Sequence, residues 1–167
     1  MSQSPQQLPP SGSPGAVLAS ARASRLAELA AARQMFCDAV EWAAVHEVPA
    51  GEGDAFWVYG NEVPLAGEGV PGVGEYAVAE FAAATGMSTD AGRTFIGDAL
   101  EVAWRLPRLW AAVQAGTVPV WRARMVAQKT TVLTADAAGF VDTHVAAVAG
   151  KVGPAQLERL GLEARGR

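Results

Sequence analysis

Apolar residues at steps of three and four, interrupted by glycine and proline, most constrain the fold of this 167-residue chain. The longest such pattern runs from about Ser20 to Val48 and ends at Pro49. Its apolar stripe consists of Leu26, Leu29, Ala30, Phe36, Cys37, Val40, Ala43 and Ala44. This spacing places the apolar side chains on one face of an α-helix. We predict one long N-terminal helix that forms the spine of a bundle or, alternatively, one half of a dimeric coil.

Shorter helical segments follow, and each is bounded by a capping residue, a glycine or a proline. The predicted ranges are 75–85 before Gly86, 90–106 after Ser88 or Thr89, 107–115 before Gly116, 119–131 after Thr117, 134–149 before Gly150, and 154–164. No alternating strand pattern persists in the sequence. We therefore predict an all-α fold: a helical bundle with one long N-terminal helix, a Gly-rich loop and five to six shorter helices.

The remaining segments are rich in glycine, proline and polar residues. Residues 1–15 cannot bury enough apolar surface to offset the entropy of ordering, so we predict a disordered tail. Residues 20–165 are predicted to form a single helical domain that contains a Gly/Pro-rich acidic loop at 49–74. We expect the aromatic segment 57–59 to hold this loop against the bundle, and a lid over a ligand is the alternative.

No targeting or membrane segment is expected. The N-terminus lacks the basic and apolar regions of a secretory signal. No uninterrupted apolar run reaches the ~18 residues of a membrane span. We therefore expect a cytoplasmic protein with no membrane partner.

Few residues are suited to catalysis or metal binding. Cys37 is the single cysteine, which excludes an internal disulfide, and the two histidines are His46 and His144. Cys37, Glu41 and His46 lack the ligand spacing of a zinc site. His144 and Asp142 have no nearby Ser or Cys nucleophile. We predict no catalytic residue, no metal and no cofactor.

Charge is distributed unevenly along the chain. The sequence has 13 basic and 17 acidic residues, a net charge of −4 with neutral histidines. Residues 1–92 contain 3 basic and 11 acidic residues, whereas residues 93–129 contain 6 basic and 2 acidic residues. A basic region of this kind is typical of a surface that contacts nucleic acid. The candidate nucleic-acid-binding residues are Arg105, Arg108, Trp121, Arg122, Arg124 and Lys129.

The short helix, the Gly116 turn and the following helix together resemble a helix–turn–helix, whose second helix enters a major groove. Its arginines are suited to contact phosphates or guanine edges, and Trp121 is suited to stack on an unpaired base. A structural role is the alternative. In that case the arginines of the second helix pair with Asp98, Glu101 or the acidic first helix, and Trp121 packs against a neighbour.

A set of short runs carries a resemblance to a known family. The runs are Glu41-Trp42-Ala43-Ala44, Glu75-Tyr76-Ala77-Val78-Ala79-Glu80, Leu106-Pro107, Ala115-Gly116-Thr117-Val118, Trp121-Arg122-Ala123-Arg124, Val126-Ala127, Leu133-Thr134 and Val141-Asp142. On these residues the chain resembles the 13E12 repeat family of actinobacteria, whose conserved region is catalogued as domain of unknown function 222. The resemblance extends over roughly 20–165. It implies a helical region that precedes an HNH endonuclease module, a ββα-metal nuclease with a histidine base and a divalent ion.

The nuclease chemistry of that family has no counterpart among these residues, because neither a histidine nor a cysteine pair follows His144. We expect either a truncated or split gene product or a helical module that works alone. The predicted function is a non-catalytic helical module that assists nucleic-acid engagement. The alternative is a protein-interaction module that forms a homodimer through the first helix, which the acidic N-terminal part favours because it would repel DNA.

Overall fold

The computed structural model of the protein describes residues 12–48 and 61–146. Its elements are α1 (Pro14–Val45), β1 (Glu62–Val63), β2 (Val73–Gly74), α2 (Glu75–Ala84), α3 (Thr89–Arg105), α4 (Pro107–Gln114), α5 (Val120–Thr130) and α6 (Ala135–Val145). These six helices, with the longest at the N-terminal side, confirm the predicted all-α helical bundle. The helix predicted at 154–164 and the aromatic segment 57–59 lie outside the described residues.

Side-chain caps explain where three of the helices begin. Ser13, Ser88 and Thr134 each accept a hydrogen bond from the backbone N–H three residues later. The predicted caps at Ser88 and Thr134 are thereby confirmed. The Ser13 cap and the proline that follows it start α1 earlier than the sequence pattern indicates, inside the predicted tail at 1–15. Residues 1–11 of that tail lie outside the described residues.

A short antiparallel hairpin, which the sequence does not predict, lies beside the helices. β1 pairs with β2 in a register that places Glu62 opposite Gly74. Two residues per strand are too few to display an alternating pattern, so the hairpin leaves no signal in the sequence. The N–H of Gly74 donates to the carbonyl of His46 at 3.2 Å, which ties the hairpin to the end of α1. Residues 61–74 of the predicted loop are therefore fixed against the bundle.

The central helix of the core is α3, which packs against α1, α2, α4 and α5. Phe95 of α3 meets Phe36 of α1 edge to face, with ring centroids 5.6 Å apart. Full burial of a large apolar side chain contributes ~1.5–3 kcal/mol, so this pair is a major part of the core. On another side of α3, Gly97 lets the carbonyl of Leu65 approach, because a Cβ at this position would overlap that oxygen. The segment 61–74 therefore rests directly on α3.

The predicted stripe on α1 divides into a buried part and an exposed part. Phe36 and Ala43 are buried in the core, as predicted. Leu26 is 61% exposed, because the N-terminal half of α1 extends beyond the core. Among the helices of the described residues, none combines the length and apolarity needed to cross a bilayer.

Candidate functional site

Arg105 is an interior residue, which removes it from the candidate nucleic-acid-binding set. The residue is 9% exposed. Its Nη1 donates to Glu101 Oε1 at 2.8 Å and to the carbonyl of Thr130 at 3.1 Å, and its Nη2 donates to the carbonyl of Leu133 at 2.6 Å. A guanidinium held by three acceptors inside the bundle has no access to a phosphate. The sequence missed this because Thr130 and Leu133 are more than 24 positions away from Arg105 along the chain.

The same ion pair also holds the segment 61–74. Glu101 is fully buried, and its Oε2 accepts a hydrogen bond from the N–H of Gly67 at 2.9 Å. Both carboxylate oxygens therefore have a donor, which compensates part of the cost of burying the charge. Glu101 was one of the predicted partners of the α5 arginines under the structural alternative. In the structure its partner is Arg105, one helical turn away on α3.

Arg124 is paired as the structural alternative predicted. Its Nε donates to Asp98 Oδ2 at 2.8 Å, and Gln128 Nε2 donates to the same oxygen at 3.0 Å. The guanidinium carbon lies 5.0 Å from the centroid of the Phe95 ring. Burial raises the pKa of Asp98 above its ordinary value, and this effect outweighs the two hydrogen bonds, which act in the opposite direction. Arg124 therefore fastens α5 to α3 in addition to facing the surface.

Arg108 and Lys129 are exposed but lie outside the site described below. Arg108 is in the first turn of α4, where its backbone N–H and that of Leu109 donate to the buried carboxylate of Asp142 at 3.0 and 2.9 Å. Asp142 thus caps α4 from α6 and satisfies two of the N–H groups that a helix start leaves open. Lys129 lies in the last turn of α5. The predicted basic region is therefore spread over several faces of the bundle.

Trp121 and Arg122 meet three residues of α1 at one cleft, which the linear sequence does not show. We name this space the arginine cleft. It has a volume of about 230 Å³ and is lined by Arg25, Leu29, Arg33, Val113, Gly116, Val118, Pro119, Val120, Trp121 and Arg122. A second hollow of about 210 Å³ shares Arg25, Leu29, Val120 and Trp121 with it and extends to Arg124. Trp121 is 44% exposed and forms part of the wall of both.

Turn geometry positions the walls of the arginine cleft. After α4 ends, Gly116 adopts a φ of +73°, a left-handed conformation that favours glycine. This confirms Gly116 as the predicted residue that ends the short helix. A Cβ on Gly116 would press against Nη1 of Arg33, so the missing side chain also makes room for that guanidinium. The turn therefore places Arg33 of α1 beside the start of α5.

Positive charge dominates the arginine cleft. Three guanidinium groups line it, from Arg25, Arg33 and Arg122. Glu28 is the carboxylate that borders the adjoining hollow, and it pairs with Arg25 at 2.7 Å. Both side chains of that pair are more than half exposed, so water screens the pair and its net strength is small. The Arg122 guanidinium carbon lies 5.1 Å from the centroid of the Trp121 ring.

Arg25 and Arg33 were not predicted as site residues because the charge averaged over residues 1–92 is strongly acidic. Residues 12–33 contain three arginines and one glutamate, whereas the rest of α1 contains Asp38 and Glu41 and no basic residue after Arg33. The sign of the charge therefore changes along a single helix. A shorter averaging window, combined with the prediction of one continuous helix, would have shown a basic end and an acidic end.

α4, the Gly116 turn and α5 follow one another as predicted for a helix–turn–helix, but the arginines of α5 are not all directed outward. The buried side of α5 packs on α3, and Arg124 and Gln128 turn towards Asp98 on the same helix. The first turn of α5 lies beside α1, where Arg122 lines the arginine cleft. The arginines of α5 are thus directed at a cleft and at α3 rather than displayed together on one outward face.

The histidines and the cysteine have local structural roles in the described residues. Nδ1 of His46 and of His144 each lies 2.8 Å from the carbonyl oxygen four residues earlier, within donating distance. Burial raises the pKa of the Cys37 thiol, and Asp38 and Glu41 raise it further. Within 12–48 and 61–146, no group of three His, Cys, Asp or Glu side chains has a metal-binding arrangement.

Fold and site together define an all-α bundle with an arginine-lined cleft between its longest helix and the start of α5. The chain matches no protein-family model, no curated protein and no solved structure.

Proposed function

We propose that this protein is a non-catalytic helical module that engages nucleic acid through the arginine cleft, in the manner expected of the helical region of a 13E12-repeat-type protein. The observation that carries the proposal is the convergence of Arg25, Arg33 and Arg122, from two helices far apart in sequence, beside the half-exposed ring of Trp121. The resemblance of the sequence runs to that family supports the same function.

The chemistry of the cleft fits phosphate groups. A guanidinium carries a fixed charge and a planar fork of donors that matches phosphate oxygens. Arg25 is bound only loosely by Glu28, because an exposed ion pair contributes ~0–1 kcal/mol, so a phosphate can replace that carboxylate. Residues 61–92 carry five acidic and no basic residues, so part of the negative charge of the chain lies outside the cleft.

The test is the salt dependence of nucleic-acid binding. Fluorescence anisotropy of a labelled oligonucleotide gives the affinity of the full chain at several salt concentrations. Three phosphate contacts predict a log–log slope of about −2.7 for a duplex or about −2.1 for a single strand. Arg25→Glu is expected to weaken binding at least tenfold and to reduce the magnitude of the slope by about one contact.

Lys129→Glu is the matched control, because it makes the same change in net charge at an exposed residue outside the cleft. It is expected to weaken binding much less than Arg25→Glu. Absence of salt-sensitive binding by the wild-type chain at low ionic strength would overturn the proposal. Equal losses for the two variants would show that the overall charge acts rather than the arginine cleft.

A second candidate function, homodimerisation through α1, is favoured by a different observation. Val17, Leu18 and Leu26 on the N-terminal half of α1 are 50%, 72% and 61% exposed, which is high for large apolar side chains. Light scattering after size-exclusion chromatography measures the mass of the particle. A dimer that dissociates in Leu26→Glu would support this function. Ala27→Glu, at an exposed residue of the same helix, is the control and should leave the dimer intact. A monomer at every concentration would exclude it.

A further inference from the structure

The position of Trp121 distinguishes between the kinds of nucleic acid that the arginine cleft can take. Trp121 is 44% exposed and lines both hollows, so an incoming group can contact the indole from either one. Leu29 and Val120 also line both hollows and provide an apolar floor beside the ring. An exposed aromatic ring next to apolar side chains is suited to a flat, partly apolar group such as a nucleobase.

Three guanidinium groups line the same cleft as this ring. Arg122 covers part of the indole with its guanidinium, and Arg25 and Arg33 approach from α1. An unpaired base that stacks on Trp121 would therefore place its flanking phosphates near these positive charges. Proteins that bind single strands without sequence preference combine aromatic side chains, which stack on the bases, with basic side chains, which contact the phosphates.

A duplex fits this arrangement poorly. Its bases are stacked and paired, so none is free to stack on Trp121. Recognition in a major groove needs a helix that projects from the protein, whereas the first turn of α5 lies beside α1. A duplex can still contact Arg25, which is on the exposed surface of α1.

On the basis of the proposed function, we infer that the arginine cleft is a single-strand site: an unpaired base stacks on Trp121 while its neighbouring phosphates bind Arg25 and Arg33. The inference assigns Trp121 a contact with the base and predicts a preference for unpaired over paired nucleic acid. It also assigns a function to the apolar floor of the cleft, which phosphate binding alone does not use.

The experiment compares labelled thymidine 12-mers with duplexes of the same length by fluorescence anisotropy. The wild-type chain is expected to bind the single strand at least tenfold more tightly than the duplex. Trp121→Ala is expected to reduce single-strand affinity about 5- to 150-fold, the range that corresponds to the loss of one stacked base. Trp121→Phe retains an aromatic ring and is expected to recover most of that loss. Trp104→Ala is the control, because Trp104 is 43% exposed on α3 and lies outside the cleft.

An oligomer of abasic spacers supplies a test that does not depend on the folding of any variant. The wild-type chain is expected to bind it more weakly than the thymidine strand, by the same factor as the loss in Trp121→Ala. If the duplex binds at least as tightly as the strand and Trp121→Ala has no effect, the inference is wrong and the proposed function stands. If the wild-type chain binds neither oligonucleotide, the proposed function itself is wrong.

Discussion

The buried ion pair between Glu101 and Arg105 provides a quantitative test of the interior of this fold. The change Glu101→Gln preserves the size of the side chain and removes its charge. The two oxygens of Glu101 accept from Arg105 Nη1 and from the N–H of Gly67. A glutamine offers one acceptor oxygen in their place, so one of the two donors loses its partner.

The expected loss of unfolding free energy follows from the burial of both partners. The side chains of Arg105 and Glu101 are 5% and 0% exposed, so the remaining guanidinium has almost no water to solvate it. The carbonyls of Thr130 and Leu133 hold it in place, which opposes its escape to the surface. Removal of one member of a buried pair costs ~3–5 kcal/mol. A domain of this size has ~5–15 kcal/mol of stability, so the variant is expected to lose a large part of it.

Urea denaturation followed by far-UV circular dichroism measures this loss. Glu28→Gln is the control, because it makes the same chemical change in the exposed pair with Arg25 and is expected to cost less than about 1 kcal/mol. A loss for Glu101→Gln that equals that of Glu28→Gln would refute the argument. Arg105→Ala is expected to destabilise the protein similarly, so reduced nucleic-acid binding by that variant would follow from unfolding rather than from a lost phosphate contact.

Three further predictions concern other parts of the bundle. Burial raises the folded-state pKa of Asp98 above its ordinary value of 3.8, so its contribution to stability is present at low pH and is lost as pH rises through the raised pKa. The difference in unfolding free energy between wild type and Asp98→Asn, measured by urea denaturation across this pH range, should therefore fall as pH rises. A rise would contradict the role of burial. Because the pKa of Cys37 is raised, iodoacetamide should alkylate this thiol more slowly in the folded chain than in the urea-unfolded chain at mildly alkaline pH. Equal alkylation rates would contradict this prediction. Gly97→Ala should lower the thermal midpoint, because the added Cβ would overlap the carbonyl of Leu65. Gly139→Ala has no atom within 4 Å of its added Cβ and should stabilise α6 by ~0.5–1 kcal/mol. A higher thermal midpoint for Gly97→Ala than for Gly139→Ala would show that the segment over α3 is not held in this position.

The helices were predictable because their ends are encoded by residues close in sequence. Ser88 and Thr134 cap their helices through the third residue that follows, and Gly116 ends α4 through its own backbone conformation. Such signals need no knowledge of the tertiary structure. The hairpin and the early start of α1 escaped prediction for the opposite reasons: the strands are too short to show a pattern, and the cap at Ser13 lies in a segment whose composition is typical of disorder.

The role of each arginine was not predictable from local charge. Arg105 and Arg108 are three positions apart, yet one is buried among carbonyl groups and the other is exposed. Arg105 ends α3 on the side that faces the end of α5, whereas Arg108 lies in the first turn of α4, beyond the break between the two helices. Arg124 was predictable only as one of two alternatives, because Asp98 is 26 positions away. Charge counted along the chain therefore finds the basic region but not the residues that share a surface.

The division of α1 explains how one helix can serve both the fold and the proposed site. Its C-terminal half carries Phe36 and Ala43 into the core, where substitution would lower stability. Arg25, in the N-terminal half, and Arg33, just past the middle of the helix, line the cleft that α5 completes. Because the helix is continuous, its core contacts, which include Ala32 and Met35 beside Arg33, fix the position of these arginines. Substitution of Arg25 should therefore change binding with little effect on stability, which makes the arginine cleft separable by mutation from the bundle that supports it.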